Sequence, residues 1–561
     1  MNYKLGITAA IAATLMLSSC GKKLGQFSAD YFTTNPNPLE VVGERVPATV
    51  TANVPAKFFV KNAEVVVTPY LVYNGTETAG QPFAFQGQDV RGNAPVISYD
   101  NGGTVTIPVA FKYQPEMAQS VLELAFDVTQ GGKQYVLPRV QVATGVIGTA
   151  ALADAATVTP AIAADKFQRI VNQKYAADIM FLINVANIRA DQLKTNAMEE
   201  LWKEINATKD NNRLDLKEIN IESYASPDGN YDFNYNLAEK REKNTDDYVR
   251  KQLQQAKVTE FGELTANFTA EDWEGFQKLV QQSNIQDKDL ILNVLTMYKD
   301  PQERETQLRN LAAVFEELAD QILPQLRYSR ITASVDIIGK SDEELIETAK
   351  SNPLSLTVDE VLYAATLTDD PATKQQIYES ATAVYPKDYR TWNNLGMVQY
   401  ERGNYSGAMK SFTKANQVQN NPESNMNLAL LDMLNGKYDD ANKLLGSAAG
   451  VEGLNEALGT YYLKTGDNAA AARAFGDAKS NNAALAQILT KDYSKARTTL
   501  EAVNSPDAIT YYLMAVLGAR TNNESSVLTN LKKAVQIDPE LAAMAAKDLE
   551  FANFNISSVA R

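Results

Sequence analysis

The sequence predicts a multidomain chain with an N-terminal all-β sandwich, a central α+β domain with a helical insertion, and a C-terminal all-α solenoid. Three observations predict this order. Apolar and polar residues alternate over 39–145, strand and helix patterns mix over 165–345, and a helical pattern recurs about every 34 residues over 354–555. A chain of 561 residues is long enough for three domains with substantial cores.

The N-terminus has the make-up of a secretory lipoprotein signal. Lys4 precedes an apolar run over 6–17, and small residues lead to Cys20, the one cysteine of the chain. The run is too short to span a bilayer comfortably. We expect residues 1–19 to be removed and Cys20 to be acylated, the alternative being an ordinary signal peptide with an incidental cysteine. Residues 20–38 are then expected to be a lipid-anchored flexible tether.

The first folded domain is predicted over 39–145. Its period-two runs, such as 64–73 and 121–128, are separated by Asn74-Gly75 and Gly131-Gly132, residues that accept the positive φ of hairpin turns. This pattern is typical of an antiparallel β-sandwich of immunoglobulin-like size. No site is recognisable in it, so we expect a spacer or adaptor role.

A linker is predicted over 146–164. The segment is rich in Ala and Thr, and Pro160 lies within it. Such a composition favours a weakly packed connection over a regular element.

The central domain, 165–345, combines strands and helices. The predicted elements are the strand Asp178–Val185, the amphipathic helix Asp191–Asn206, the strand Lys217–Tyr224, a helix over 233–255, a helical insertion over 271–326 and the closing strand Ile331–Ile338.

A turn and helix in this domain carry a motif. Gly229 is followed five residues on by Asn234, and then by Leu237 and Arg241. The spacing resembles the signature of OmpA-like C-terminal domains, in which a turn aspartate and a helical arginine hold a peptidoglycan diaminopimelate. This resemblance implies a peptidoglycan-binding site made of Ser226, Asp228, Asn234 and Arg241, since a guanidinium binds a carboxylate in a bidentate fashion.

The chain departs from that family in three ways. Ser226 stands at the aspartate position, an Asn-Arg-Arg run is missing before the last strand, and the helical insertion interrupts the domain. The structural alternative is that Arg241 pairs with an acid such as Glu239 or Asp232 and fixes the turn.

The C-terminal region, 354–555, contains repeated small and aromatic residues. The clearest copy consists of Trp392, Leu395, Gly396, Gly403, Tyr405, Ala408, Phe412 and Ala415. Their spacing resembles the tetratricopeptide repeat (TPR), and further copies follow. We expect the marked residues to be core and any ligand to lie on the concave surface, where candidates are Asn393, Asn394, Asn425, Asn427 and Tyr461.

Composition excludes several classes of function. A net charge of −15 disfavours nucleic acid as a partner. Histidine is absent, which removes the commonest general base and most zinc or iron sites. No phosphate loop, nucleophile elbow or metal motif is found. We therefore predict a protein that is not an enzyme and has no cofactor and no metal.

Taken together, the chain resembles Bacteroidota outer-membrane lipoproteins with a divergent OmpA-like domain and TPR repeats. The resemblance implies a lipid-anchored scaffold on the periplasmic side of the outer membrane. Its expected partners are outer-membrane or periplasmic proteins, in a biogenesis or secretion complex, and peptidoglycan. The alternative is a glycan- or nutrient-binding lipoprotein similar to SusD. The late position of the repeats and the missing acidic surface-export signal after Cys20 disfavour it.

Overall fold

A computed structural model describes residues 23–285, 288–310 and 312–559. The predicted signal peptide and Cys20 lie outside these residues. The described chain forms two compact units, one of residues 23–164 and 369–559 and the other of residues 165–368. Each unit has its own hydrophobic core.

The N-terminal part of the first unit is rich in β-sheet, as the sequence predicts. The alternation is clearest in Ala63–Tyr73, where buried and half-buried residues succeed each other along the whole strand. Its strands are β1 Phe32–Asn35, β2 Leu39–Glu40, β3 Arg45–Val54, β4 Ala63–Tyr73, β5 Thr76–Ala79, β6 Phe83–Gly87, β7 Val96–Ile97, β8 Gly103–Lys112, β9 Val121–Gln130, β10 Lys133–Thr144 and β11 Val146–Ile147.

These strands form two main sheets around one core. One sheet has the order β1-β3-β8, and the other has the order β10-β9-β4-β6-β7 with β5 beside β4. Side chains from both sheets, such as Val50 and Phe126, are buried in the same hydrophobic cluster. The short strands β2 and β11 pair in parallel.

The flexible tether predicted over 20–38 is wrong from Leu24 onward. Leu24 and Phe27 are buried in the core of the sheets, and the Phe27 ring stacks on Phe126 with 4.6 Å between centroids. Strand β1 follows directly and pairs antiparallel with β3. The apolar residues of this stretch are scattered among polar ones, so their burial was not evident from the sequence.

The second unit contains a four-stranded sheet with the order β12-β15-β13-β14. Strands β13 and β14 are parallel, and the other neighbours are antiparallel. Its elements are β12 Ile170–Met180, α1 Asn196–Asp210, β13 Leu214–Tyr224, α2 Tyr231–Ala256, β14 Glu263–Thr269, α3 Trp273–Gln282, α4 Lys288–Met297, α5 Pro301–Asn310, α6 Ala312–Gln321, β15 Tyr328–Ile338, α7 Asp342–Ser351 and α8 Val358–Thr366.

Helices α1 and α2 cover one face of this sheet. Leu201 of α1 and Val249 of α2 are buried with Ile219 and Ile331 of the central strands. The helices α3 to α6 lie between β14 and β15 in the chain and build a separate small core that includes Phe276, among others.

The predicted boundary between the central domain and the repeats is wrong. Helices α7 and α8 belong to the second unit, so residues 354–368 are not part of the repeat array. They are tied to the start of β12, because Phe167 stacks on Tyr363 at 4.3 Å and Arg169 pairs with Asp342.

The C-terminal part of the first unit consists of TPR-like helical repeats, which confirms that prediction. At two crossings a glycine is required, because a Cβ on Gly396 or Gly459 would lie 2.7 Å from the ring of Phe412 or Phe475. The helices are α9 Pro371–Val384, α10 Tyr389–Glu401, α11 Tyr405–Val418, α12 Pro422–Leu434, α13 Tyr438–Gly446, α14 Leu454–Thr465, α15 Asn468–Phe475, α16 Asn481–Leu489, α17 Tyr493–Glu501, α18 Ala508–Arg520, α19 Glu524–Ile537 and α20 Leu541–Ala545.

Candidate functional site

The segment between the sheets and the second unit lies along the helical repeats of its own unit. We call residues 149–164 the strap. Its small side chains are buried against the repeats: Ala153, Ala155, Val158, Ala161 and Ala163. The weakly packed linker predicted over 146–164 is therefore wrong. An alanine-rich segment without charge clusters has the composition of a linker, but small side chains also let a backbone approach a helical surface closely.

Three asparagines of the repeats each bind both backbone groups of one strap residue. The side-chain oxygen of Asn394 accepts from Ala163 N at 2.8 Å, and its nitrogen donates to Ala163 O at 2.9 Å. Asn427 does the same with Ala161 at 2.6 and 2.8 Å. Each side-chain amide thus satisfies the donor and the acceptor of one peptide residue, as a neighbouring strand would.

The third asparagine extends the series to the N-terminal part of the strap. Asn482 accepts from Asp154 N at 3.1 Å and donates to Asp154 O at 2.7 Å. The strap therefore runs antiparallel to the order of the repeats. In these three pairs, later strap residues bond to earlier helices, from α16 through α12 to α10.

Further side chains support this asparagine ladder. Asn393 donates to Ala161 O at 3.0 Å, and Tyr400 donates its hydroxyl to Ala155 O at 2.7 Å. Ser424 donates to the side-chain oxygen of Asn393 and orients it. Burial raises the pKa of Tyr400, so the hydroxyl stays protonated and able to donate.

The ladder asparagines occupy the same place in their repeats. Asn394 stands two residues before Gly396, and Asn427 and Asn482 stand two residues before Ala429 and Ala484. The last two are buried alanines of α12 and α16. This recurring position was the signal in the sequence that could have singled out Asn482, which was not among the candidates.

The other concave-surface candidates have different surroundings. Of the five, Asn393, Asn394 and Asn427 contact the strap. Asn425 instead bonds with Asn416 and Asn420. The Tyr461 ring lies edge-on to Tyr462 at 5.5 Å.

In the second unit, the motif turn of the predicted peptidoglycan site is held by internal hydrogen bonds. Ser226 donates to Asp228 at 2.5 Å, and Arg327 donates to Ser226 at 3.0 Å and to Asp228 at 2.9 Å. Asn234 is buried and donates to the carbonyls of Ser226 and Gly229 and to the Glu271 carboxylate. Three of the four predicted residues therefore lie together.

Arg241 is fully buried and directed at backbone carbonyls. Its guanidinium donates to Val185 O at 3.1 Å, Tyr224 O at 2.8 Å and Leu182 O at 3.2 Å. Burial, with the nearby charge of Arg327, lowers its pKa to about 10. The alternative, a pairing of Arg241 with Glu239 or Asp232, is not observed among the described residues, because the guanidinium donates to the carbonyls instead. Binding of a peptidoglycan carboxylate by Arg241 stays a prediction, and it would require these bonds to be exchanged.

Sequence reasoning missed Arg327 and Glu271 at this turn. Arg327 directly precedes β15, the place where the related motif carries its arginines, and this was the available signal. Glu271 also accepts from the Trp273 indole at 2.9 Å, so it links the turn to the start of α3.

Among the described residues, no group of three or more His, Cys, Asp or Glu is placed to hold a metal ion. No helix in this part of the chain is long and apolar enough to cross a membrane.

Sequence similarity to known proteins is confined to a short part of the chain. No protein-family model matches the chain. The human superkiller complex protein 3 is 39% identical over 66 residues, which is 11% of this chain. The match covers 4% of the length of that curated relative.

Several solved structures resemble part of the chain. The Cut9–Hcn1 hetero-tetramer of APC/C has a TM-score of 0.33 at 15% identity and covers 37% of this chain and 45% of its own. A tetratricopeptide repeat protein from Parabacteroides merdae has a TM-score of 0.30 at 14% identity, and the match covers 38% of this chain and 91% of that protein. Yeast Tom70 has a TM-score of 0.26 at 13% identity, and the match covers 57% of this chain and 74% of Tom70. All three scores are below the level at which a likeness supports an argument.

Proposed function

We propose that this chain is a non-catalytic adaptor that binds partner proteins through its helical repeats. The asparagine ladder is the observation that carries the proposal. Asn394, Asn427 and Asn482 each hold the N–H and C=O of one strap residue. A surface that pairs with main-chain groups is suited to a polypeptide ligand. The net charge of −15 is consistent with protein partners and not with nucleic acid.

Co-purification from detergent-solubilised membranes tests the adaptor role. We expect a tagged full-length chain, crosslinked in intact cells, to be recovered with at least one stoichiometric companion. A chain of the same abundance anchored by the same signal but lacking residues 369–559 is the control and should lose that companion. Recovery of the intact chain alone would overturn the proposal.

The second part of the proposal is a lipid anchor at Cys20 in the outer membrane, facing the periplasm. It is supported by the signal sequence and by the basic stretch after Cys20, which lacks an acidic surface-export run. Labelling with radioactive palmitate should mark the wild-type chain and leave Cys20→Ser unmarked. Protease added to intact cells should spare the chain. Digestion would instead support the alternative, a surface glycan-binding lipoprotein.

Peptidoglycan binding by the second unit is a further candidate, favoured by three exposed aromatic rings beside the motif turn. Tyr231, Phe233 and Tyr235 of α2 are 39%, 48% and 44% exposed. Aromatic faces can pack on the apolar faces of sugars. We expect the full chain to cosediment with purified sacculi, and Phe233→Ala with Tyr235→Ala to weaken this. Ile537→Ala, an exposed residue of α19, is the matched control. Absence of cosedimentation would remove this candidate.

A further inference from the structure

The strap shows what kind of segment the groove accepts. Its hydrogen bonds to the ladder use backbone atoms of Asp154, Ala161 and Ala163. The side chains that it buries are Thr149, Val158, Pro160 and several alanines. At Ala161 and Ala163 the groove therefore contacts the backbone and small side chains, and at Asp154 it contacts the backbone beside an exposed side chain.

The strap leaves part of the groove unfilled. A cavity of about 750 Å³ lies beside the strap residues 159–162. Pro160 and Ile162 of the strap form one side of it, and Ile162 remains 43% exposed. The occupant in this structure thus makes little use of the adjacent volume.

The lining of this cavity is negatively charged. It includes Glu423, Glu452 and Glu456 and, within the described part of the chain, no lysine or arginine. One carboxylate oxygen of Glu423 is buried and has no hydrogen-bond partner among the described residues. A long basic side chain at the position of Ile162 would fit in this volume and bring donors close to these carboxylates.

We propose that the groove binds, in trans, an extended peptide with small residues at the positions of Ala161 and Ala163 and a lysine or arginine between them. The strap is then the in-cis occupant that such a peptide displaces. This inference rests on the proposed function and names the chemistry of the partner. The proposed partner differs from the strap at the position of Ile162, where it carries a lysine or arginine.

The energetics explain why the basic residue matters. A segment attached at both ends acts on its groove at an effective concentration of roughly millimolar, so a competitor needs contacts that the strap lacks. Release of the strap also leaves other links between the sheets and the repeats of this unit. Glu44 accepts from the Tyr438 hydroxyl and lies 3.4 Å from the Lys464 ammonium.

Synthetic peptides provide the direct test. Capped peptides of residues 150–164 would be made with the native sequence, with Ile162→Lys and with Ile162→Glu. The receptor is the full chain carrying Ala161→Pro and Ala163→Pro, which removes the strap N–H groups that bond to Asn427 and Asn394. We expect the Ile162→Lys peptide to bind at least about tenfold more tightly than the native one, and the Ile162→Glu peptide to bind more weakly.

The charge of the cavity provides the matched control. Glu423→Gln with Glu456→Gln in the receptor should remove most of the preference for Ile162→Lys, and added salt should reduce it. Equal binding of the Ile162→Lys and Ile162→Glu peptides would overturn the proposal. So would a lack of any peptide binding by a receptor variant that keeps the wild-type helical circular-dichroism signal.

Hydrogen exchange of the strap amides tests the proposal if the proline variant does not fold. In the otherwise native full chain, Ile162→Lys should slow hydrogen exchange at the Ala161 and Ala163 amides, and Ile162→Glu should accelerate it. In the wild type, these amides should exchange through a local opening, before the helices unfold. Exchange of the strap amides only on global unfolding would show a permanent structural element and overturn the proposal.

The two proposals fail in different ways. Peptide binding without any companion from membranes would remove the adaptor role and leave the groove chemistry intact. The opposite result is a companion that binds the wild-type chain and the Glu423→Gln/Glu456→Gln chain equally, with Ile162→Lys and Ile162→Glu peptides that bind equally. It would keep the adaptor role and remove this inference.

Discussion

The asparagine ladder of the first unit and the motif turn of the second are both clusters of buried polar side chains, but their partners differ. In the ladder, Asn394 and Asn427 bind the backbone of residues 231 and 266 positions away in sequence. In the turn, Ser226 bonds to Asp228 and Asn234 bonds to the turn carbonyls, while Arg327 and Glu271 hold the same residues from neighbouring elements. The first arrangement holds a separate segment, and the second holds its own loop.

This difference indicates how each cluster relates to function. Groups that hold a separable segment become available to another ligand when that segment leaves. Groups that hold their own loop become available only if the loop is rebuilt, because each is needed where it is. Hydrogen-bond partners therefore separate the two better than residue type or burial does.

The largest expected effect comes from Arg241. Arg241→Ala removes the guanidinium that donates to the carbonyls of Leu182, Val185 and Tyr224, which should lower the free energy of unfolding of the second unit by about 3–5 kcal/mol. Arg241→Lys should cost less, since one ammonium retains part of the bonding. Denaturant-dependent hydrogen exchange at the β13 amides of the full chain measures the loss of unfolding free energy in each variant. A loss below about 1 kcal/mol combined with lost sacculus binding would make Arg241 a ligand-binding residue.

The second effect concerns the ladder. Asn427→Ala removes both bonds to Ala161 and should lower the free energy of strap opening by about 2–3 kcal/mol, without unfolding the repeats. Asn425→Ala, a neighbour that bonds away from the strap, is the control and should leave strap exchange unchanged. Equal acceleration of strap exchange in both variants would contradict the claim that Asn427, unlike Asn425, holds the strap.

A smaller effect is expected at the turn. Ser226 is 4% exposed, donates to Asp228 and accepts from Arg327. Ser226→Ala should therefore destabilise the second unit by about 1–2 kcal/mol in urea denaturation of the full chain. Ser351→Ala, at the exposed end of α7, should have no measurable effect. Unchanged stability of Ser226→Ala would indicate that the turn is not held by these bonds.

The smallest expected effect is a gain. Gln487 of α16 is 2% exposed, and neither polar atom of its side-chain amide has a partner among the described residues. Gln487→Met, similar in volume, should raise the thermal midpoint by an amount corresponding to at most about 1 kcal/mol. Asn482→Met in the same helix should lower it, because that amide holds the strap. A loss of stability in Gln487→Met would show that its amide is bonded in solution.

The repeats could be predicted because their determinants are local in sequence. Gly396 and Phe412 must be spaced so that one helix crosses another closely, and the same spacing recurs at Gly459 and Phe475. The motif turn was also recognisable, since Asn234 donates to the carbonyl of Gly229, only five residues earlier in the chain. In both cases the constraint links residues that are close along the chain.

The strap and the start of the central sheet could not be predicted for the opposite reason. The strap's partners lie more than 200 residues away, and its own composition is that of a linker. The predicted strand over 178–185 ends at Met180, because Asn184 takes a left-handed conformation and Arg241 binds the carbonyls of the following loop. Neither interaction leaves a periodic signal.

The strap also bears on how the array comes apart. Stacked repeats contact mainly their neighbours, so such arrays can lose structure piecemeal from an end. The strap bonds to α10, α12 and α16, so it connects repeats that are not all adjacent. Because its detachment would remove that long-range link, we expect these helices to melt in one cooperative transition with the strap bound and in several transitions without it.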